Sequence, residues 1–222
     1  CYGDITNFNS SIIPNLYYGI TNYQWTTSGS GSFGITGSNS PNTTFLYDNI
    51  GPKIIDFTVT DANGCIGTSS SAFIEIWQNP TAIIQPISTV CENDITSFDG
   101  SSTSQGSSST MSYQWDFGDL SGDTLLNTSH IYVNGCNNYP ISLEVIDGNG
   151  CSNIAFATAV VNCLPTANFN WTGPNAPNAC DGEITSFSDQ SYVNNSNGSG
   201  HLIDSWLWNM GCLLYTSDAA DE

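Results

Sequence analysis

The 222-residue chain has almost no positive charge. Lys53 is its one cation, set against 20 aspartates and glutamates, for a net charge of −19. A surface of that sign repels phosphate backbones and anionic lipid headgroups, which excludes nucleic acids and membrane surfaces as partners. Histidine is nearly as scarce. Neither His130 nor His201 stands at a spacing from carboxylates or thiolates that suits a catalytic dyad or a zinc site. No apolar run approaches the ~18 residues of a spanning helix, so no membrane insertion is expected. No serine or cysteine sits in a nucleophile motif. Glycine-rich stretches such as TSGSGSFG lack the lysine and following helix of a phosphate loop, and read as surface loops. No catalytic, cofactor-binding or metal-binding set emerges, and the chain is expected not to be an enzyme.

What is present suits packed cores. Hydrophobic residues make up 39% and aromatics 12%, too much for a disordered acidic tail. The landmarks recur in one order. CYGDITNF starts at Cys1, CENDITSF at Cys91 and CDGEITSF at Cys180. Aromatic strands follow, NYQW to Trp25, SYQW to Trp115 and SWLW to Trp208. FTVTDANGC closes at Cys65 and LEVIDGNGC at Cys151, and PTA recurs at Pro80 and Pro165. A period of about 90 residues fits a small domain rather than a solenoid unit. The expected copies are 1–77, which opens in mid-pattern without its first strand, 78–163, which is complete, and 164–211, which breaks off.

The pattern is all-β. Tyr113, Trp115 and Phe117 alternate with Gln114 and Asp116, so three aromatics share one strand face. Ile141, Leu143 and Val145 do the same, as do Ile55, Phe57 and Val59. Asn63-Gly64 and Asn149-Gly150 predict two-residue hairpins with positive φ at both positions. Short strands with frequent turn signals predict a β-sandwich.

At YQWDFGD, Tyr113 to Asp119, the chain resembles PKD (polycystic-kidney-disease-type) domains, a family of immunoglobulin-like sandwiches. PTA, WDFGD, HIY at 130–132 and ISLEVIDGNGC carry the resemblance along nearly all of 79–163. The first copy reads YQWTTSG and loses the acidic turn; the third keeps WLWNMG. The resemblance implies tandem immunoglobulin-like sandwiches with a truncated third copy. It also implies a role as spacer or adhesive module in a secreted or cell-surface protein, often beside other domains of the same chain. The alternative is a carbohydrate-binding accessory module of a secreted hydrolase. Partners would be glycans or protein surfaces.

The signature residues also have a structural reading. Trp115 is expected to fill the space between two sheets, Phe117 shares its face, and Gly118 to take a turn conformation closed to residues with a Cβ. Asp116 and Asp119 can cap that turn. With Asp123 they could instead hold calcium, although their spacing does not match an EF-hand loop. Trp171 and Tyr192 are candidate sugar-stacking residues, with core or loop-anchor roles as the alternative. Asn170 opens a glycosylation sequon of a kind expected by chance in so Asn-, Ser- and Thr-rich a chain.

Eight cysteines without zinc-type spacing suggest an oxidising compartment. If Asn149-Gly150 turns the hairpin, Gly148 faces Cys151, and the same register makes Cys136 face Cys163. In the first copy this register pairs Ile50 with Trp77, an apolar pair in place of thiols. A Cys136–Cys163 disulfide is therefore expected. The pairing of Cys1, Cys65, Cys91, Cys151 and Cys180 stays open. Cys1–Cys65 with Cys91–Cys151 is one scheme; end-to-end stacking of copies would instead bring Cys1 to Cys151. Last, CLLYTSDAADE at 212–222 resembles the conceptual translation of a sequencing-library adapter. On that reading the tail is not native, Cys212 is set aside, and 164–222 is expected to be loosely packed.

Overall fold

A computed structural model of the chain describes residues 1–10, 19–28, 33–36, 39–69, 71–133, 135–174, 182–194 and 202–209. These residues contain strands and no helix. In the first segment the strands are β1 (Ile5–Asn9), β2 (Ile20–Ser28), β3 (Phe33–Thr36), β4 (Asn42–Tyr47), β5 (Gly51–Asp61), β6 (Ile66–Thr68) and β7 (Ala72–Ile76). The middle segment has β8 (Val90–Cys91), β9 (Ile95–Asp99), β10 (Met111–Asp116), β11 (Gly122–Asp123), β12 (Asn127–Ile131), β13 (Asn138–Asp147) and β14 (Ser152–Asn162). The third has β15 (Pro165–Thr166), β16 (Phe169–Thr172), β17 (Ser186–Asp189) and β18 (Tyr192–Val193). The chain divides into two compact units. One comprises 1–87, 97–129 and 140–158, the other 88–96, 130–139 and 159–222.

The first segment is a sandwich. One sheet runs β1-β4-β3; the other runs β2-β5-β6, with β7 also on β5. Their inner faces meet in a core of Trp25, Phe45, Tyr47, Ile55 and Ile76, flanked by Phe8, Phe57 and Ile74. These residues alternate along their strands, which puts each set on one face. In the middle segment, strands pair in the order β11-β10-β13-β14-β8, and β9 pairs β12. Opposite Trp115 on β10 stands Leu143 on β13, and Val145 stands opposite Tyr113. The β8–β14 pair is parallel, Val90 facing Val161. In the third segment β15 pairs β18 and β16 pairs β17.

The hairpin turns differ from expectation. Gly64 and Gly150 have φ of 81° and 83°, but neither Asn63 nor Asn149 has a positive φ. The loops are three residues long: Asp61 N–H donates to Cys65 O (3.1 Å) and Asp147 N–H to Cys151 O (2.8 Å). The cause is the leading aspartate. Asp147 Oδ1 accepts from the N–H of Asn149 (2.9 Å) and Cys151 (3.0 Å), and Asp61 Oδ1 does the same for Asn63 and Cys65 (2.9 Å each). That side chain holds the wider turn, with its glycine in the left-handed position of a bulge. Asp147, not Gly148, therefore faces Cys151. In the first segment the returning chain gains a residue between β6 and β7: Thr58 faces Thr68, yet Ile55 faces Ala72. Past that bulge Gly51 faces Ile76, the register that places Ile50 beside Trp77.

Candidate functional site

The acidic aromatic turn, Trp115 to Asp123, is one candidate. β10 delivers Trp115 into the core at 2% exposure, 5.5 Å from the Phe98 ring, with Nε1–H donating to Leu125 O (2.9 Å). Phe117 is also buried and stacks on Phe98 at 4.7 Å. Asp116 Oδ1 accepts the N–H of Gly118 (2.8 Å). Gly118 has φ +75°, and a Cβ there would lie 2.5 Å from Pro140 O, so the turn requires glycine twice over. Asp119 Oδ1 accepts from Ser121 N–H (3.0 Å) and Oγ (2.5 Å). Asp123 Oδ1 accepts from the N–H of Thr124 (2.6 Å) and Leu125 (3.2 Å), while Oδ2 accepts from Thr128 Oγ1. The Thr128 hydroxyl, then the Thr124 amide, hold the Asp123 carboxyl below the usual carboxylate range. All three carboxylates cap their own turns. Among the described residues no group of three or more His, Cys, Asp or Glu could hold a metal ion.

His130 lies edge-on to Tyr132 at 4.7 Å, a packing role. His201 is outside the described residues, as are Cys180 and the 212–222 tail. Lys53 is buried at 3% exposure, its Nζ donating to Asn49 Oδ1 (2.5 Å). The one side-chain cation thus points inward, and the described surface is anionic.

Two disulfides are present among the described residues. Cys136 bonds Cys163, with Cα atoms 4.7 Å apart, and Cys1 bonds Cys151, with Cα atoms 5.4 Å apart. The first is the pair expected from sequence, although the two-residue turn used to align it is not the turn observed, since Asp147 faces Cys151. The second decides between the schemes left open by sequence and rules out Cys1–Cys65 and Cys91–Cys151. Cys65 and Cys91 are free thiols.

A cleft of about 510 Å³ lies in the third segment, lined by Phe169, Phe187, Asp189, Ile203, Trp206 and Trp208. Phe169 and Phe187 lie 5.6 and 6.1 Å from Trp208. Trp206 Nε1–H donates to Asp189 Oδ2 (2.9 Å). Ser191, which donates to Asp189 both from its side chain and its backbone, is the main cause of that carboxyl's lowered pKa. Tyr192 is exposed on β18 and lines a neighbouring depression with Trp206. Asn170 is exposed on β16, and Trp171 is half-buried. Sequence reading singled out Trp171 and Tyr192 but used Trp206 and Trp208 only as strand markers. Their meeting with Phe169 and Phe187 was not visible locally.

Residues 77–163 match the family model described as PKD domain. A PKD domain therefore occupies the middle of this chain. Its limits enclose β8 to β14 and both cysteines of the Cys136–Cys163 bond. Several solved structures are similar to the chain. One is a structure of carbohydrate-binding modules from the β-sandwich superfamily, at 23% identity and TM-score 0.37, covering 43% of this chain and 46% of that one. The chain thus spans under half the length of that relative. Fibronectin(III)-like modules of Clostridium thermocellum CbhA match at 12% identity and TM-score 0.36, covering 73% of this chain and 87% of theirs. The amphioxus IgVJ-C2 molecule matches at 9% identity and TM-score 0.31, covering 72% and 97%. No described helix is long and apolar enough to cross a membrane.

Proposed function

We propose that residues 1–211 are three copies of one PKD-like sandwich, bounded at 1–77, 78–163 and 164–211. On this reading they are non-catalytic spacer or adhesive modules of a larger secreted or cell-surface protein. One observation carries it: the signature turn of the PKD domain is spent on the fold. Trp115 and Phe117 are core, and Asp116, Asp119 and Asp123 cap backbone amides, so every one of these side chains has a structural role. The anionic surface disfavours nucleic acids and anionic lipids, and the two disulfides suit an oxidising compartment. Partners are then glycans, protein surfaces or other domains of the same chain, held weakly. The test is a panel of polysaccharides and peptides incubated with the full chain. No turnover is expected; sustained turnover that survives repurification overturns the proposal.

The carbohydrate-binding reading rests on the cleft at Trp206 and Trp208. Exposed indoles stack on sugar rings, and Asp189 beside them could accept hydroxyl hydrogens. Tryptophan fluorescence titrated with soluble polysaccharides separates the two. A saturable change abolished by Trp206→Ala would favour the glycan module; a flat titration favours the spacer.

A further inference from the structure

The Cys1–Cys151 bond joins the leading cysteine of one proposed copy to the closing cysteine of the next. Cys91 and Cys65 are the same two positions, displaced by one copy. Cys91 leads the middle copy as Cys1 leads the first, and Cys65 closes the first as Cys151 closes the middle.

The local backbone is the same in each case. Cys1 O accepts from Asp4 N–H (3.2 Å), and Gly3 has φ +86°; Cys91 O accepts from Asp94 N–H (3.1 Å), and Asn93 has φ +70°. The residue after each leading cysteine donates its N–H to the end of a closing strand, Tyr2 to Trp77 O (2.8 Å) and Glu92 to Asn162 O (2.9 Å). At the closing position, Cys65 and Cys151 both donate N–H to the Oδ1 of the aspartate four residues earlier. What differs is cover. Cys151, bonded to Cys1, has 0% exposure, whereas Cys65 is an exposed thiol. Two thiols thus sit in the setting that elsewhere in this chain carries a disulfide.

We infer that Cys65 and Cys91 are the two open ends of a disulfide ladder between successive copies. Cys65 takes the leading cysteine of a copy placed before residues 1–77. Cys91 takes the closing cysteine of the copy that follows 78–163. This rests on the repeat frame proposed above. Each link forms by thiol–disulfide exchange with a small-molecule disulfide, such as glutathione disulfide. The new Sγ–Sγ bond forms as the donor's S–S bond breaks, and the two cysteine thiols lose two electrons and two protons to give two donor thiols.

The test begins with the full chain, oxidised, alkylated without reduction and mapped by mass spectrometry. Label is expected on Cys65 and Cys91, and not on Cys1, Cys136, Cys151 or Cys163. The full chain is then made with an additional copy of residues 78–163 ahead of Cys1. The expected map gains one cross-link, from the added copy's Cys91 to native Cys65, and Cys65 labelling is lost. Cys65→Ser in that extended chain should abolish the link and leave both Cys136–Cys163 bonds intact. If Cys65 stays labelled although both Cys136–Cys163 bonds and Cys1–Cys151 are present, the ladder is overturned and the module reading survives. If Cys65 and Cys91 bond each other in the unextended chain, the ladder is likewise overturned. If Cys1–Cys151 is absent from the unextended chain, the repeat frame fails with it.

Discussion

Phe98 and Trp115 in the middle segment lie 5.5 Å apart and are 1% and 2% exposed; Phe187 and Trp208 in the third lie 6.1 Å apart and are 43% and 41% exposed. The two pairs occupy matching places in ITSF and in the aromatic strand. The ring contact therefore forms in both, but burial does not follow from it. In the middle segment β13 brings Ile141, Leu143 and Val145 against the pair, all at 1% exposure or less. Among the described residues of the third segment, no strand pairs with the stretch that carries Trp208. Hydrophobic stabilisation scales with area removed from water, so the same contact is worth far less there.

The sharpest way to break this comparison is to truncate both indoles. Trp115→Ala is expected to cost about 3–5 kcal/mol, most of the ~5–10 kcal/mol that a small sandwich holds. Trp208→Ala should cost no more than about 0.5 kcal/mol. Urea unfolding followed by circular dichroism measures both, and equal costs would refute the burial difference. Cysteines give the next contrast. Cys136→Ser removes a brace across 27 residues and should lower stability by roughly 3–4 kcal/mol in the chain-entropy model. Cys65→Ser alters an exposed, unbonded thiol and should stay within about 0.5 kcal/mol.

Glycines sharpen it further. Gly118 and Gly182 have nearly equal φ, 75° and 77°. Alanine at either incurs left-handed strain of about 1–2 kcal/mol. Only at Gly118 does the new Cβ also meet Pro140 O, at 2.5 Å; at Gly182 nothing lies within 4 Å. Gly118→Ala should therefore lower the melting temperature by clearly more than Gly182→Ala does. The smallest effect is in pH. Hydroxyl and amide donors, led by the side chains of Ser101, Thr128 and Ser191, lower the pKa of Asp99, Asp123 and Asp189. A carboxylate with a depressed folded-state pKa contributes stability above its unfolded value of about 3.9, lost as pH falls through the folded value. Melting temperature should be flat above pH 5 and fall below pH 4, with a shallower fall in Asp123→Asn.

Where contacts are local, the sequence could be read. Alternation put Trp115, Phe117, Ile141, Leu143 and Val145 inside and Gln114 outside, and a two-residue period is all that this requires. Gly118 was legible because one residue type tolerates its φ. Turn length was not. Asn-Gly favours a two-residue loop, but Asp61 and Asp147 each capture two amides and widen it, a competition that propensity does not weigh. Cys1–Cys151 spans 150 residues, so strand register could not choose it. The Trp206–Trp208 cleft joins residues from β16, β17 and an irregular stretch, which no periodicity relates.

Hydrogen exchange at the indole N–H groups, resolved by nitrogen-15 NMR on the full chain, tests most directly whether one aromatic frame is closed in two segments and open in the third. Trp25 donates to Ser40 O and Trp115 to Leu125 O from buried rings, each at 2.9 Å, so both protons should exchange slowly, at rates set by unfolding. That of Trp208, 41% exposed, should exchange at a rate near that of free indole. Equal protection of Trp115 and Trp208, whether both slow or both fast, would contradict the account.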